Sequence, residues 1–489
     1  MSGPESNDAI VIGGGTSGLV AAAYLAKTGK KVLLLEAKDK LGGLCAPGNL
    51  AEGFKIAAGA QTLYALDPVV VRELKLPKKG LRFASRELAL TGLRSDGKHV
   101  VISGDVHDTA SSIALHSQRD ADTWPRFRKE LFEMARAMRP LWWESQGAFP
   151  TGIEGQKIER LARMSSGAWL DSWFESDAIK ATLCFDSTAG GHSVLEPGSA
   201  LSLVWRAAQE MSGLQGAVAI PRGGLAALTE ALIAAAQDAG CEIRSGVEVV
   251  RVILDGERAA GVQMRSGETC FAPLVFSAIG SFRLFSRLLL PGTLGIARTE
   301  ASRRRPSVAQ ARVVMTLRRV PQISSDAILP ASRFILAERL ETYVAADLAA
   351  RNGDLSDELP MEFVIPTTAD ASLAPPGQHI LSARVRPVPR YPAEGWAALS
   401  TRLGGQVVAS LERLVPGLSR DIAHIEISRP DLLENALPLN VPHMLTTAAR
   451  RVETPIAGLF LCGADAEPVP AVSGRAARIA VASALAVRR

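Results

Sequence analysis

Apolar residues in this chain gather into short runs that stop at glycines, and the first such stretch predicts a strand, a helix and a second strand. Ala9 to Ile12 form a continuous apolar run, as expected of a parallel strand buried on both faces. After Gly13, Gly15 and Gly18, residues Leu19, Ala22, Ala23 and Ala26 recur at helical spacing, and Gly29 stands where a helix C-cap belongs. A second apolar run, Val32 to Leu35, ends on Glu36. Gly53 to Gln61 reads as a short strand entering a glycine-containing loop.

Downstream the period alternates between helix and strand. Trp124, Phe127, Leu131, Phe132, Met134 and Met138 mark a helix over 119–145, a stripe that belongs to a core rather than to a ligand pocket, and a further helical region spans about 155–180. Gly190-Gly191-His192 and Glu196-Pro197-Gly198 read as loop punctuation, with His192 a loop residue. Pro221-Arg222-Gly223-Gly224 opens a helix from Leu225 to Ala239, closed by Gly240. Short strands at 241–245 and 247–253, turns at Asp255-Gly256 and Ser266-Gly267, and an apolar run at 274–278 form a meander that returns to a buried strand. Residues 308–318 and 361–386 alternate in β fashion, 394–414 reads as a helix, and 455–463 is a turn, a buried strand and a glycine before a small-residue helix at 471–487.

The first stretch also carries chemistry. Gly13, Gly15 and Gly18 satisfy G-x-G-x-x-G: the first permits the tight turn, the second lets a pyrophosphate approach the backbone, and the third lets the helix pack on the sheet. Glu36 stands eighteen residues past Gly18, where a carboxylate can hold both hydroxyls of an adenosine ribose and would repel a 2′-phosphate. Because strand, turn, helix, second strand and acid all agree, the glycines are read as a dinucleotide site and not as ordinary turn formers.

Composition narrows the remainder. A chain of 489 residues suggests two or three domains, and 47% hydrophobic with 21% charged residues is ordinary for a globular protein. The net charge of +5 is small and the arginines are scattered, which argues against nucleic acid and leaves a mildly anionic partner or membrane surface open. Five cysteines at 45, 184, 241, 270 and 462 include no C-x-x-C and no metal-ligand spacing, so the expectation is a reduced, cytoplasmic protein without a metal site or a redox-active dithiol. The polar residues 1–7 leave no room for a signal segment, and no apolar run approaches eighteen residues. Residues 281–305 set apolar bulk beside arginines and give the chain one candidate peripheral membrane contact.

The continuation Lys38-Asp39-Lys40-Leu41-Gly42-Gly43 resembles the extended FAD fingerprint of glutathione-reductase-like flavoproteins. Over nearly its whole length the chain resembles the FAD-dependent amine oxidoreductases, in their phytoene desaturase-like branch, and within it the pyridine nucleotide-disulfide oxidoreductase domain-containing proteins. The stretches that carry this are 10–43, GFKIAAGAQTLYAL at 53–66, WLDSWFESDAIKATL at 169–183, PRGGLAALTEAL at 221–232, SLAPPGQHILS at 372–382, ISRPDLLE at 427–434 and GLFLCG at 458–463. The resemblance implies an α/β fold, a glutathione-reductase-like Rossmann FAD-binding domain (1–75, 215–285 and 450–489) with an interleaved α+β substrate-binding domain (76–214 and 286–449). It implies FAD contacts at Gly13, Gly15, Thr16, Ser17 and Gly18 for the pyrophosphate and at Glu36, Ala37 and Lys38 around the ribose. Gly42, Gly43 and Leu44 would follow the ribityl side, Gly59 and Ala60 the isoalloxazine edge, Val249 the adenine, and Gly463 and Asp465 a second ribitol or phosphate contact. Relatives continue with a His-Pro step and a run of glycines, whereas this chain has Ala466 to Arg475 with two prolines and two valines in it, where close approach of backbone to a ring is hindered.

These resemblances imply a flavoprotein that dehydrogenates or desaturates a small apolar, lipid-like or isoprenoid-like molecule by hydride transfer to flavin N5, with oxygen or a quinone as acceptor. Glu467 is the candidate general acid or base and Gln61 its polar neighbour. An amine oxidase, or a flavin-binding protein with a decayed active site that acts by association, are the competing expectations. A direct NAD(P)H reductase is disfavoured because no second G-x-G-x-x-G follows a strand.

Overall fold

The computed structural model describes residues 6–48, 50–290, 292–293, 307–323, 331–430 and 441–486. The principal elements in chain order begin with β1 (Ala9–Ile12), α1 (Thr16–Lys27), β2 (Val32–Leu35), β3 (Ala89–Gly92), β4 (Val100–Ile102), α2 (Gln118–Trp143), α3 (Asp177–Ser187), α4 (Ala200–Ala208) and α5 (Ala226–Asp238). They continue with β5 (Glu242–Arg244), β6 (Val249–Asp255), β7 (Arg258–Met264), β8 (Thr269–Phe271), β9 (Val275–Ser277), β10 (Val308–Leu317), β11 (Ser332–Leu336) and β12 (Met361–Val364). The last are β13 (His379–Pro389), α6 (Gly395–Leu414), β14 (Ile422–Ser428), α7 (Val441–Met444), β15 (Leu459–Leu461) and α8 (Arg475–Ala486).

Every residue of β1 and β2 is buried, as a strand covered on both faces requires, and the two pair in parallel from Ala9 with Val32 to Ile12 with Leu35. They lie inside a five-stranded parallel sheet of order β15-β9-β1-β2-β5. Helix α1 returns over this sheet and packs against α5 and α8, which its alanines at 21, 22 and 23 allow at short range. This is a Rossmann-type α/β fold, and β6 to β8 form the antiparallel meander that leads from β5 back to β9. The apolar core around the sheet draws on residues from Ala9 to Leu81, Met211 to Leu289 and Ala448 to Ala484.

A second, seven-stranded sheet has the order β14-β10-β13-β12-β11-β3-β4. Its strands alternate. Ala311, Val313, Met315, Leu381, Ala383 and Val385 point to one face, where α6 lays Leu399, Leu403, Val407 and Leu411 against them. The intervening Arg312, Ser382, Arg384 and Arg386 occupy the opposite face, so that face carries charge although it is largely buried. A helical layer containing α2, α3 and α4 closes the molecule with a third core rich in aromatic rings, where Phe127 touches Trp124, Trp169, Trp173 and Phe174.

Two expected elements differ. The region 155–180 is three helices, Gly152–Leu161, Ser166–Asp171 and Asp177–Ser187, because Ser165 and Ser176 accept hydrogen bonds from Ala168 and Ala178 N–H and start new helices. No strand forms over 53–61; Ala57 makes an isolated bridge with Pro47, and the backbone of Gly59 and Ala60 donates instead to the Leu44 carbonyl. Of the basic stretch 281–305, residues 291 and 294–305 lie outside the described residues, as do 431–434 of the ISRPDLLE motif. Among the described residues no helix is long and apolar enough to cross a membrane.

Candidate cofactor and substrate cleft

Two glycine loops meet at the carboxyl end of β1. Gly13 leaves the strand with φ +99°, a conformation that side chains resist, and a Cβ on Gly18 would lie 1.9 Å from the Gly13 carbonyl oxygen. That contact sets how closely α1 sits on the sheet. Gly15 is different: a Cβ there would meet nothing nearer than the Gly43 Cα at 3.8 Å. The second loop is tied to the first by the Gly42 N–H, which donates to the Gly14 carbonyl at 2.8 Å. Glu36, half-buried at the end of β2, accepts from the Gly14 N–H at 2.6 Å and from the Lys38 N–H at 2.9 Å.

From these loops a cleft of about 1460 Å³ of empty space, part of it open to solvent, runs to the charged face of the second sheet. Gly15, Thr16 and Ser17, then Gly42, Gly43 and Leu44, then Gly59, Ala60 and Gln61 line it from one side. Arg384, Arg386 and Arg390 line the far end, with Thr62, Tyr64 and the Gly190-Gly191 loop between, and Pro470, Ala471 and Val472 form another wall. No carboxylate, histidine, cysteine or lysine appears in that lining among the described residues.

The remaining sequence candidates lie outside the lining. Ala37 and Lys38 are exposed at the end of β2, where the Lys38 carbonyl accepts from Gly246. Val249 is buried in the core and pairs with Met264. Asp465 is buried beside Gly463; its Oδ2 accepts from the Ser281 N–H, while its Oδ1 is buried without a hydrogen-bond partner among the described residues.

Glu467 requires a correction. Its carboxylate is 2% exposed and absent from the cleft lining. Oε1 accepts from the Ser473 hydroxyl and, at 2.9 Å, from the Ala476 N–H in the first turn of α8, and Oε2 lies 3.6 Å from the Arg475 guanidinium. A carboxylate so placed satisfies orphan donors of a helix start and a buried cation, and it is turned to these partners instead of to the cleft. Gln61 does line the cleft, where its amide bonds Glu362 at 3.3 Å and Ser382 at 3.1 Å.

Sequence reasoning missed the arginines. Arg384 and Arg386 are two apart on β13 and therefore share a face, a signal present in the strand's own alternation. Arg384 stands opposite Arg312 of β10 and opposite Glu362 of β12. Burial pushes the Glu362 carboxyl up, but Arg333 and Arg384 more than reverse this and hold it below the usual range. Arg312 is lowered to about 9 and Arg386 to about 10, in both cases by burial and then by Arg384. Burial also lifts the Cys45 thiol to about 11 and the Cys184 and Cys241 thiols to about 12, and all five cysteines are free and buried.

The profile of the family described as Flavin containing amine oxidoreductase matches residues 16–466. The chain belongs to that family. As a flavin containing amine oxidoreductase it is an FAD-dependent oxidoreductase, and it falls with the phytoene desaturase-like branch. It is 27% identical over 540 residues to the rat pyridine nucleotide-disulfide oxidoreductase domain-containing protein 2, covering 96% of this chain and 92% of that one. Phytoene dehydrogenase of Streptomyces griseus is 27% identical over 450 residues, covering 86% and 82%. The structure of wild-type putrescine oxidase bound to putrescine shares the fold, with a TM-score of 0.65 at 17% identity over 99% of this chain and all of the other. The family's FAD fits this chain on two counts. Bare backbone at Gly15 and Gly43 leaves room that any side chain would narrow, and the buried Asp465 Oδ1 is an acceptor waiting for a hydroxyl.

Proposed function

We propose that this flavoprotein dehydrogenates or desaturates a largely apolar molecule, one C–H bond giving up a hydride to the bound flavin and the neighbouring position releasing a proton to solvent where the cleft is open. The observation that carries this reading is the cleft itself. It runs from the glycine loops to Gln61 and the second sheet, walled by Leu44, Ala60, Ala189, Ala309, Pro470 and Val472, and its described lining contains no carboxylate, histidine, cysteine or lysine. FAD, when bound, supplies the two-electron acceptor, so the protein needs no nucleophile and no triad.

The chain's own residues then bind, orient and exclude water. Gly13 to Gly18 and Gly43 would leave backbone amides for the phosphates, Glu36 would take the adenosine ribose, and Asp465 would accept a ribityl hydroxyl. Thr62, Tyr64 and Gln61 stand among the polar groups at the far end and would fix the orientation of the substrate. An amine substrate is disfavoured, since three guanidiniums line the cleft and no carboxylate among its described lining residues offers an ammonium group a partner. Oxygen or a quinone would reoxidise the cofactor.

The test is anaerobic mixing of FAD-loaded protein with a panel of isoprenoids, fatty acyl compounds and amines in the absence of NADH. Bleaching of the flavin absorbance by an apolar member supports the reading. Bleaching only by amines would overturn it.

A further inference from the structure

The far end of the cleft narrows into a recess lined by Thr62, Tyr64 and Ala189 together with a group of charged side chains. Four arginines, 206, 333, 384 and 386, face two carboxylates there, Asp186 and Glu362. The carboxylates are already engaged. Asp186 accepts from both terminal nitrogens of Arg333, at 2.6 and 3.2 Å, and Glu362 accepts from Arg333 Nε at 2.7 Å and from Gln61. Arg333 is thereby fully matched, and its guanidinium is held well above the ordinary range in spite of burial.

Arg384 and Arg386 are not matched in this way. Arg384 has Glu362 Oε1 at 3.9 Å, beyond hydrogen-bond reach. Arg386 donates only to neutral oxygens, the Thr188 hydroxyl at 3.0 Å and the Phe185 carbonyl at 2.7 Å, and its nearest carboxylate oxygen, on Asp186, is 4.0 Å away. Arg206, whose Nε lies 3.6 Å from Asp186, has an Nη1 that is buried with no hydrogen-bond partner among the described residues. Positive charge removed from water without a bonded anion is costly, and arginine's planar fork is shaped to take a carboxylate or phosphate through two parallel bonds. Arg386 sits below the ordinary guanidinium range because of burial and Arg384, as expected where positive charge is in excess.

We propose that the substrate is an amphiphile whose anionic oxygen group, carboxylate or phosphate, is held by Arg384 and Arg386, with its apolar part lying along the cleft toward the glycine loops. This rests on the reading of the cleft as the site of an apolar substrate and adds the charged end. It accounts for a sheet face that keeps Arg312 and Arg384 directly opposite each other, a like-charge pair that costs stability with nothing bound.

FAD-loaded protein titrated with octanoate, octyl phosphate, methyl octanoate and inorganic phosphate, read by calorimetry and by the shift of the flavin spectrum, tests it. Octanoate or octyl phosphate should bind at least about tenfold more tightly than methyl octanoate or inorganic phosphate, and whichever of the two is tighter identifies the head group. Arg384→Gln should weaken that ligand by about tenfold or more, Arg384→Lys by less, with the flavin-to-protein absorbance ratio and methyl octanoate binding unchanged. Equal binding of acid and ester, inorganic phosphate binding as tightly as octyl phosphate, or an Arg384→Gln protein that binds octanoate as the wild type does would each overturn the proposal. Binding is read without turnover. Failure of every compound to bleach the flavin would therefore end the proposed reaction while leaving acid-over-ester selectivity to be judged separately.

Discussion

A carboxylate oxygen that already accepts a hydroxyl and a backbone N–H has little left to offer a substrate proton, and Glu467 Oε1 is in that position. Breaking a buried ion pair by removing one charge typically costs about 3–5 kcal/mol. Glu467→Gln should therefore lower the melting temperature sharply while the rate per folded, FAD-loaded molecule stays at the wild-type value; a stable variant with lost turnover would restore Glu467 to catalysis. The two glycines of the fingerprint should separate in the opposite sense. Gly18→Ala forces a Cβ to 1.9 Å from the Gly13 carbonyl and should destabilise the fold by about 3 kcal/mol, whereas Gly15→Ala meets open space and should spare the melting temperature of the apoprotein but weaken FAD retention on gel filtration. The fingerprint glycines were legible because their spacing encodes local geometry. The role of Glu467 was not, because Ser473 and Arg475, which claim it, read in the chain as members of a small-residue helix from 471, whereas the helix begins at Arg475.

At the level of elements, short apolar runs and alternation were enough to place β1, β2, β9, β13, α5 and α6. What the pattern lacked was the use of alternation in both directions. The same period that sends Leu381, Ala383 and Val385 beneath α6 sends Ser382, Arg384 and Arg386 toward the cleft. Helix boundaries inside 155–180 escaped because two serine caps, not glycine or proline, divide it. Helix α7 carries a prediction of its own. His443 is 3.1 Å from the Glu467 carbonyl, and burial followed by Arg451 lowers its titration to about 4. Unfolded histidine takes its proton near 6.5, so between about 6.5 and about 4 the unfolded chain binds more protons than the native one. This contribution to stability is complete above the upper value and falls as pH drops through the window, by up to roughly 3 kcal/mol. Urea unfolding at pH 7 and pH 5 should show a drop that His443→Gln diminishes; an equal drop in both proteins would remove His443 as its source.

Over the whole molecule, the described residues contain one parallel sheet of nucleotide-binding type, and the other large sheet is mixed and carries no glycine loop of this kind. The rat relative's name speaks of pyridine nucleotides and disulfides. This chain's five cysteines are free and buried, and Cys45, Cys184 and Cys241 have raised thiols that resist ionisation, so no dithiol relay is available among them. Anaerobic NADH should accordingly leave the absorbance of the FAD-loaded protein unchanged over the time in which a true substrate bleaches it. Rapid bleaching by NADH would require a nicotinamide site other than the glycine loops of the one parallel sheet among the described residues.

The five-stranded sheet takes its edge strand β15 from residues 459–461, far from the β1 it serves. A ribosome therefore releases the glycine loops hundreds of codons before the strand and helix that complete their surroundings. The growing polypeptide has to keep one edge of β9 unpaired from its own synthesis until residue 459 emerges, and capture of the vitamin-derived cofactor in a finished site becomes a late event.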